Sequence, residues 1–516
     1  MIKSQNRLKQ KSIFENELYI GIFLFIISAV FVTLTSYTTS PVFKGWYEND
    51  GKAFLFIAKG MVNGKIPYTD IFDHKGPVLY FIESFGWLLT GGKTGVFFLQ
   101  IINLFATLFL IFWAAREFIS VKASFFTTVA VIPFLTSTLF GGNYSEEWSL
   151  SFSAVAVLLA CRYINLLNSG KSEHNVFAGG LLGFAFSFTA NIRVNNCITV
   201  ASCVLYIFVC LIINKRFKNL LFNAGAFIVG AALPLLPALV YFGKTGTLDG
   251  LLYGSLIFNL KYSGINQLIN EHASMSMWTS VFPVLVIAVA AAVYYLFKRK
   301  NNKLRYIAWL LICHSMCLFA MYLVTGVTYL HYLAFAWPVP LILYILVILA
   351  GGFEFKVKGK DILLKGAAVV ACLAVISIYY FNAAIDPSLD STRRIIKSAA
   401  AGEKYELEGF ARKVDEIIPE EDSGDVFCLA SSFSVLYLYD TADLYPKCRY
   451  HLFYDFWKLI DGNVTAEVTE MMKNDPPRWL ISKEGDWHDD EISAVIESSY
   501  TKILEEQGFI LYKKTS

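Results

Sequence analysis

Apolar stretches close to twenty residues long recur along this chain, and that recurrence fixes the solvent in which it folds. They fall at residues 18–36, 95–115, 122–140, 148–166, 176–190, 197–213, 219–241, 278–297, 305–325, 328–350 and 366–384. An α-helix crosses the ~30 Å hydrocarbon core of a bilayer with about 20 such residues. The pattern therefore predicts an α-helical polytopic membrane protein of about 11 spans. Composition agrees: the 516 residues are 56% hydrophobic and 16% charged, where a water-soluble protein carries roughly 25% charged residues. A net charge of +3 is too small to imply nucleic acid, so the partners expected at this level are membrane lipids.

Basic residues in short loops set orientation. They gather at the N-terminus (Lys3, Arg7, Lys9, Lys11), at Arg116 and Lys122, at Arg162 and Lys171, at 215–218, at 298–305 and at 356–360. Those clusters follow every second span, which predicts a cytoplasmic N-terminus. It also predicts outer loops at 37–94, 141–147, 191–196 and 242–277, with the tail from 385 outside. The first run is long for a signal-peptide core and no small-residue cleavage site follows, so it reads as an uncleaved span. The apolar stretch 77–90 is too short to span; it reads as re-entrant or interfacial within the first outer loop. That loop also carries Lys44, Lys52, Lys59, Lys65 and Lys75, against the charge rule. An anionic ligand would explain them, and so would the freedom of long loops from that rule.

The chain divides at 385 into a membrane module (1–384) and a small α/β domain (385–516), where charged residues return. Strands are expected at 426–430, 479–482 and 509–512, with helices at 403–418, 464–473 and 490–507. Seven of nine cysteines lie in apolar runs, where a small buried hydrophobe is the default. Cys428 and Cys448 fall in the polar region and could form one disulfide; no metal-ligand spacing appears.

Four outer loops carry the candidate chemistry. The first runs from Trp46-Tyr47-Glu48-Asn49-Asp50-Gly51 to Gly64-Lys65-Ile66-Pro67-Tyr68-Thr69-Asp70 and Asp73-His74-Lys75-Gly76-Pro77. Between them Ala53, Phe54, Ile57, Ala58 and Met61 recur at helical spacing, predicting a helix in the plane of the interface. Asp50 would start it, as an N-cap or as a working carboxylate. The second loop holds Glu146 and Glu147, which could simply be solvated. The third holds Arg193, whose planar fork suits phosphate, although a snorkelling contact with headgroups is an alternative. The fourth is Tyr329-Leu330-His331-Tyr332, where a lone His is more often structural than catalytic. All four fall on one face under a topology derived from basic loops alone.

These residues resemble the GT-C-fold glycosyltransferases, in particular the bacterial group similar to protein O-mannosyltransferases and aminoarabinose transferases. The first-loop segments carry the resemblance, with Asn143-Tyr144-Ser145-Glu146-Glu147, the Arg193 loop and the His331 loop. Tyr445-Pro446-Lys447-Cys448-Arg449-Tyr450 is similar to a Pro…Arg-Tyr motif in the outer domains of such enzymes. Where many relatives have Glu-Lys-Pro-Pro, this chain has His74-Lys75-Gly76-Pro77, so His74 occupies the place of the second loop acid and Asp73 stands one residue early.

The resemblance implies a GT-C-like membrane module and transfer of a sugar from a polyprenyl-phosphate donor to a glycan, lipid or protein acceptor outside a bacterial plasma membrane, with inversion. Asp50 would be the general base and Asp73 a second catalytic carboxylate. Lys75 and Arg193 would bind the donor phosphate, and Tyr68, His74, Glu146, Glu147, His331 and Tyr332 the substrates. A divalent cation, if used, would sit on Asp50, Asp73 and Glu146. Two other classes compete: a transporter or lipid flippase of envelope glycans, which would place ionisable groups near the bilayer midplane, and a membrane-anchored sensor working through its tail domain.

Overall fold

The apolar runs become helices whose outward faces only lipid can cover. In the computed structural model the described residues are 17–269, 302–325, 385–430, 432–452, 454–483 and 490–515, with isolated positions 289, 293, 331, 332, 334 and 382. Among them, seven helices are long and apolar enough to cross a membrane: Glu17–Thr35, Lys93–Arg116, Val121–Thr138, Leu150–Asn168, Val194–Ile213, Phe217–Thr245 and Leu304–Met321. Large apolar side chains stand bare on them, with Ile213 and Leu221 each 72% exposed, a surface that water does not tolerate over this extent. This is a multi-pass membrane protein. The runs 278–297, 328–350 and 366–384 lie, apart from isolated positions, outside the described residues.

The bundle is built from α1 (Glu17–Thr35), α2 (Asp50–Val62), α3 (Pro77–Thr90), α4 (Lys93–Arg116), α5 (Val121–Val131), α6 (Pro133–Thr138), α7 (Ser145–Trp148), α8 (Leu150–Asn168) and α9 (Val176–Ala190). It continues through α10 (Ile198–Ile213), α11 (Phe217–Ala232), α12 (Leu235–Thr245), α13 (Leu248–Leu252) and α14 (Phe258–Ile269). Proline, which lacks an N–H and clashes with the preceding turn, marks the joints: Pro133 between α5 and α6, Pro234 between α11 and α12. Helices α9 and α11 approach backbone to backbone. A Cβ on Gly183 would lie 2.0 Å from the Phe227 carbonyl oxygen, the small-residue contact that membrane helices use in place of hydrophobic collapse.

The 77–90 stretch is helical from Pro77, with 14 residues, or ~21 Å at 1.5 Å per residue. The loop helix α2 departs from expectation. Residues Gly51 to Ala58 are all buried, so it is covered on every side instead of floating in the interface plane. Its apolar side chains Phe54, Leu55 and Phe56 share one core with Val78 and Leu79 of α3 and with Leu436, Leu438 and Ile481 of the C-terminal unit. A spacing pattern marks which face is most apolar but not how many partners will cover the rest.

The C-terminal unit carries a four-stranded sheet of β1 (Val426–Cys428), β2 (Trp479–Lys483), β3 (Tyr500–Glu506) and β4 (Phe509–Lys514), in the order β1-β2-β4-β3. Strands β1 and β2 are parallel, with Phe427 opposite Leu480; β4 is antiparallel to both β2 and β3. The helix expected over 490–507 stops at Ser499, and 500–506 is a strand. The reason is the turn: Gln507 and Gly508 both take positive φ, 55° and 76°, as a tight hairpin demands. Cys428 and Cys448, which could have paired, are buried free thiols. The helix Asp386–Ala401 lies on the bundle: the Ser388 hydroxyl donates to Thr136 Oγ1 at 2.9 Å.

Candidate functional site

The site grows from the way the first loop is tied to its neighbours. Helix α2 begins at Asp50 after Asn49, and Asn49 makes no side-chain capping bond. Its amide instead donates to the Gly142 carbonyl (2.9 Å) and accepts from the Thr38 hydroxyl (3.0 Å). The first and second of the four candidate loops are thereby joined, and Asp50 stands inside the first turn. It is not an N-cap; its carboxylate, 31% exposed, faces Lys75 Nζ at 3.7 Å.

The segment after α2 is held just as closely. Tyr68 adopts φ 68° and its hydroxyl donates to the Lys75 carbonyl at 2.7 Å. Asp73 Oδ1 accepts from the His74 backbone N–H (2.8 Å) and lies 3.1 Å from His74 Nδ1, while Oδ2 accepts from the Tyr80 hydroxyl (3.1 Å). Lys75 Nζ is 3.7 Å from Asp73 as well as from Asp50, so the two acids flank one ammonium. Burial alone would raise the Asp73 carboxyl, yet Lys75 and the contacts of His74 hold it well below the usual carboxylate range. Burial, reinforced by Lys75, pushes His74 down to about 4, so this imidazole is neutral near pH 7.

Gly76 locks the third loop in place. A Cβ there would sit 2.0 Å from the Asn191 carbonyl oxygen, and the Gly76 N–H donates to the Ile192 carbonyl at 2.8 Å. A proline at this position would lose that bond, which gives the departure from the Glu-Lys-Pro-Pro pattern a structural meaning. The lock places Arg193 beside the first loop. Its guanidinium is buried, pairs with Glu146 at 3.1 Å and lies 4.2 Å from the centre of the Tyr332 ring, whose hydroxyl it also contacts. Arg193 does not snorkel; it is held inside the protein. His331 stacks on Tyr144 with ring centroids 4.9 Å apart.

Asp50, Asp73, His74, Lys75, Arg193, His331 and Tyr332 line one cavity of about 510 Å³. The opposite wall comes from the C-terminal unit, including His451, Asp455 and Trp457. A second, mostly apolar cleft of about 370 Å³, walled by Leu235, Leu239, Leu251 and Leu256, shares His74 and Arg193 with it. The remaining expected residues stand behind the cavity. Tyr68 is buried beneath Lys75, and Glu146 backs Arg193. Glu147 points away, accepting 3.0 Å bonds from Gln100 Nε2 and a 2.8 Å bond from the Asn143 N–H.

Two features were not anticipated. Glu83 of α3 is fully buried, accepts from Trp148 Nε1 (3.0 Å) and Asn143 Nδ2 (3.3 Å), and is raised by burial to about 8. An acid inside an apolar run was a readable signal. His451 and Trp457 had none, because only the docking of the tail unit brings them here. That docking is specific: the Phe72 N–H donates to the Arg449 carbonyl (2.9 Å), and Arg449 donates to the Tyr68 carbonyl (3.1 Å) and pairs with Glu467. Arg449 thus joins the units and does not line the cavity.

A divalent cation does not fit the donor set proposed for it. Lys75 stands between Asp50 and Asp73, Arg193 neutralises Glu146, and among the described residues no group of three or more His, Cys, Asp or Glu could hold a metal.

Fold and site together define a multi-pass membrane protein whose inter-helix loops and appended α/β unit enclose a cavity lined by charged side chains. The chain belongs to the family described as "Putative competence-induced protein Ccs4 N-terminal domain", whose model matches residues 8–352. No curated protein matches it. Among solved structures it is similar to the Archaeoglobus fulgidus oligosaccharyltransferase in complex with zinc and sulfate, at 14% identity and TM-score 0.45, over 95% of this chain and 73% of that one. It is also similar to AglB from the same organism with an inhibitory peptide and a dolichol-phosphate (13%, TM-score 0.45, 97% and 75%). The form of that enzyme tethered to an acceptor peptide containing the NVT sequon gives 13% and TM-score 0.46, over 98% and 75%.

Proposed function

We propose that the protein transfers a sugar from a polyprenyl-phosphate donor to an acceptor hydroxyl at the outer face of a plasma membrane, its N-terminus lying in the cytoplasm. The observation that carries this reading is the junction of the two cavities at His74 and Arg193. A donor of this kind has three parts of different chemistry: an isoprenoid tail, a phosphate and a sugar. The leucine-lined cleft suits the tail, Arg193 at the junction with Lys75 beside it suits the phosphate, and the larger cavity, with the Asp50 and Asp73 carboxylates in its wall, suits sugar and acceptor.

In the step proposed, the acceptor oxygen attacks the anomeric carbon as the bond from that carbon to the phosphate oxygen breaks. The proton of the acceptor passes to Asp50, whose carboxylate is free of capping duty and partly open to the cavity. The electron pair of the broken bond remains on the lipid phosphate, where Lys75 and Arg193 stabilise it; fixed cations in a water-poor site do this best. One displacement inverts the anomeric centre. Asp73, clamped by His74 and Tyr80, is better suited to fix Lys75 than to exchange protons. Glu146 plays the matching part for Arg193.

Comparison of envelope glycans and polyprenyl-linked sugars from cells with and without the gene tests this. Loss of one sugar residue with build-up of its lipid-linked form is expected; unchanged glycans and lipid pools would overturn the proposal.

A further inference from the structure

The face of α2 turned away from Asp50 carries a second concentration of positive charge. Two residues along a helix is about 200° of rotation, so Lys52 projects opposite Asp50. It enters a small cavity of about 90 Å³ whose wall includes Trp46, Trp87, Lys93 and Asp440. Lys52 is only 7% exposed, and its ammonium lies 4.2 Å from the centre of the Trp46 ring. Among the described residues no carboxylate comes within ion-pair distance of Lys52 or Lys93, and the acid in the wall, Asp440, is turned to Lys59 at 3.6 Å. The Trp46 indole N–H is buried with no acceptor.

A buried ammonium normally has a counterion; here burial and the neighbouring Lys93 push Lys52 down to about 7. Two lysines and an unpartnered indole N–H line one small cavity, a donor set suited to an anion. We propose that this cavity binds the phosphate of an anionic lipid headgroup. The setting favours lipid as the source of the phosphate. Lys93 opens the apolar helix Lys93–Arg116, and Trp with Lys at a span end is the residue set of the membrane–water interface. Beside Trp87, Leu88 and Leu89 of α3 are exposed, where acyl chains would lie. The site is separate from the cavity at Asp50 and stands whether or not sugar transfer does.

Native mass spectrometry and thermal unfolding of the full chain in neutral detergent test this, with phosphatidylglycerol, phosphatidylcholine and inorganic phosphate as probes. Wild type should retain one phosphatidylglycerol in preference to phosphatidylcholine, with a rise in unfolding midpoint. Lys52→Met and Lys93→Gln should each weaken retention at least tenfold, while Lys52→Arg keeps it. If Lys52→Met does not elute as wild type does, Lys93→Gln and Lys52→Arg carry the comparison. A midpoint raised by inorganic phosphate alone, dependent on Lys52, would keep the phosphate site and overturn its assignment to lipid. Retention unaffected by both lysine substitutions, or no response to any probe, would overturn the proposal.

Discussion

Replacing Glu146 by Gln isolates the energetics on which the site depends. The Glu146 side chain has no exposure, that of Arg193 has 8%, and they meet at 3.1 Å. Removing one partner of such a pair leaves a buried charge uncompensated and costs ~3–5 kcal/mol, whereas replacing both by apolar groups of similar size is often neutral. Gln keeps the shape and one carbonyl acceptor, so the expected loss is toward the lower end, ~3 kcal/mol, or on the order of 100-fold in the folding equilibrium. The assay is reversible unfolding in mixed micelles, followed by the denaturant midpoint. The double variant Glu146→Leu with Arg193→Met should return to within ~1 kcal/mol of wild type. It should nonetheless fail to bind donor phosphate, because the guanidinium is gone. A Gln variant within ~0.5 kcal/mol of wild type, or a double variant no more stable than the single one, would refute the reasoning.

Three further outcomes follow from particular side chains. Burial raises the Glu83 carboxyl from its ordinary 4.5 to about 8. Its contribution is therefore complete below about 4.5 and is lost as pH rises toward 8; Glu83→Gln should flatten the fall of the unfolding midpoint between about pH 5 and 8. Gly76→Ala should cost ~1–3 kcal/mol by overpacking against Asn191, while Gly225→Ala, where a Cβ meets nothing within 4 Å, should leave the midpoint unchanged or raised. Lys75→Met should weaken binding of polyprenyl phosphate at least tenfold, measured by ligand-dependent thermal shift on the folded fraction.

The candidate residues could be picked out because charge in loops gives each loop an expected side of the membrane. That rule assigned residues 50, 73, 146, 193 and 331 to one expected face; four of them line one cavity, and Glu146 backs Arg193. What spacing does not encode is three-dimensional cover. Helix α2 looked half-exposed because its second apolar partner lies some 380 residues away, at Leu436. The strand 500–506 was hidden because its residues read equally as helix, and only the two positive φ angles at Gln507 and Gly508 decide the turn. His451 and Trp457 carried no motif; their place depends on Phe72 and Arg449 meeting across the seam.

Transfer of labelled sugar from polyprenyl phosphate to acceptor in isolated membranes, for wild type and Asp50→Asn, tests the central claim most directly. General-base catalysis is worth ~10²–10⁴-fold, so the Asn variant should lose at least 100-fold in rate while its abundance and its binding of polyprenyl phosphate hold. Transfer by Asp50→Asn at the wild-type rate would contradict the account.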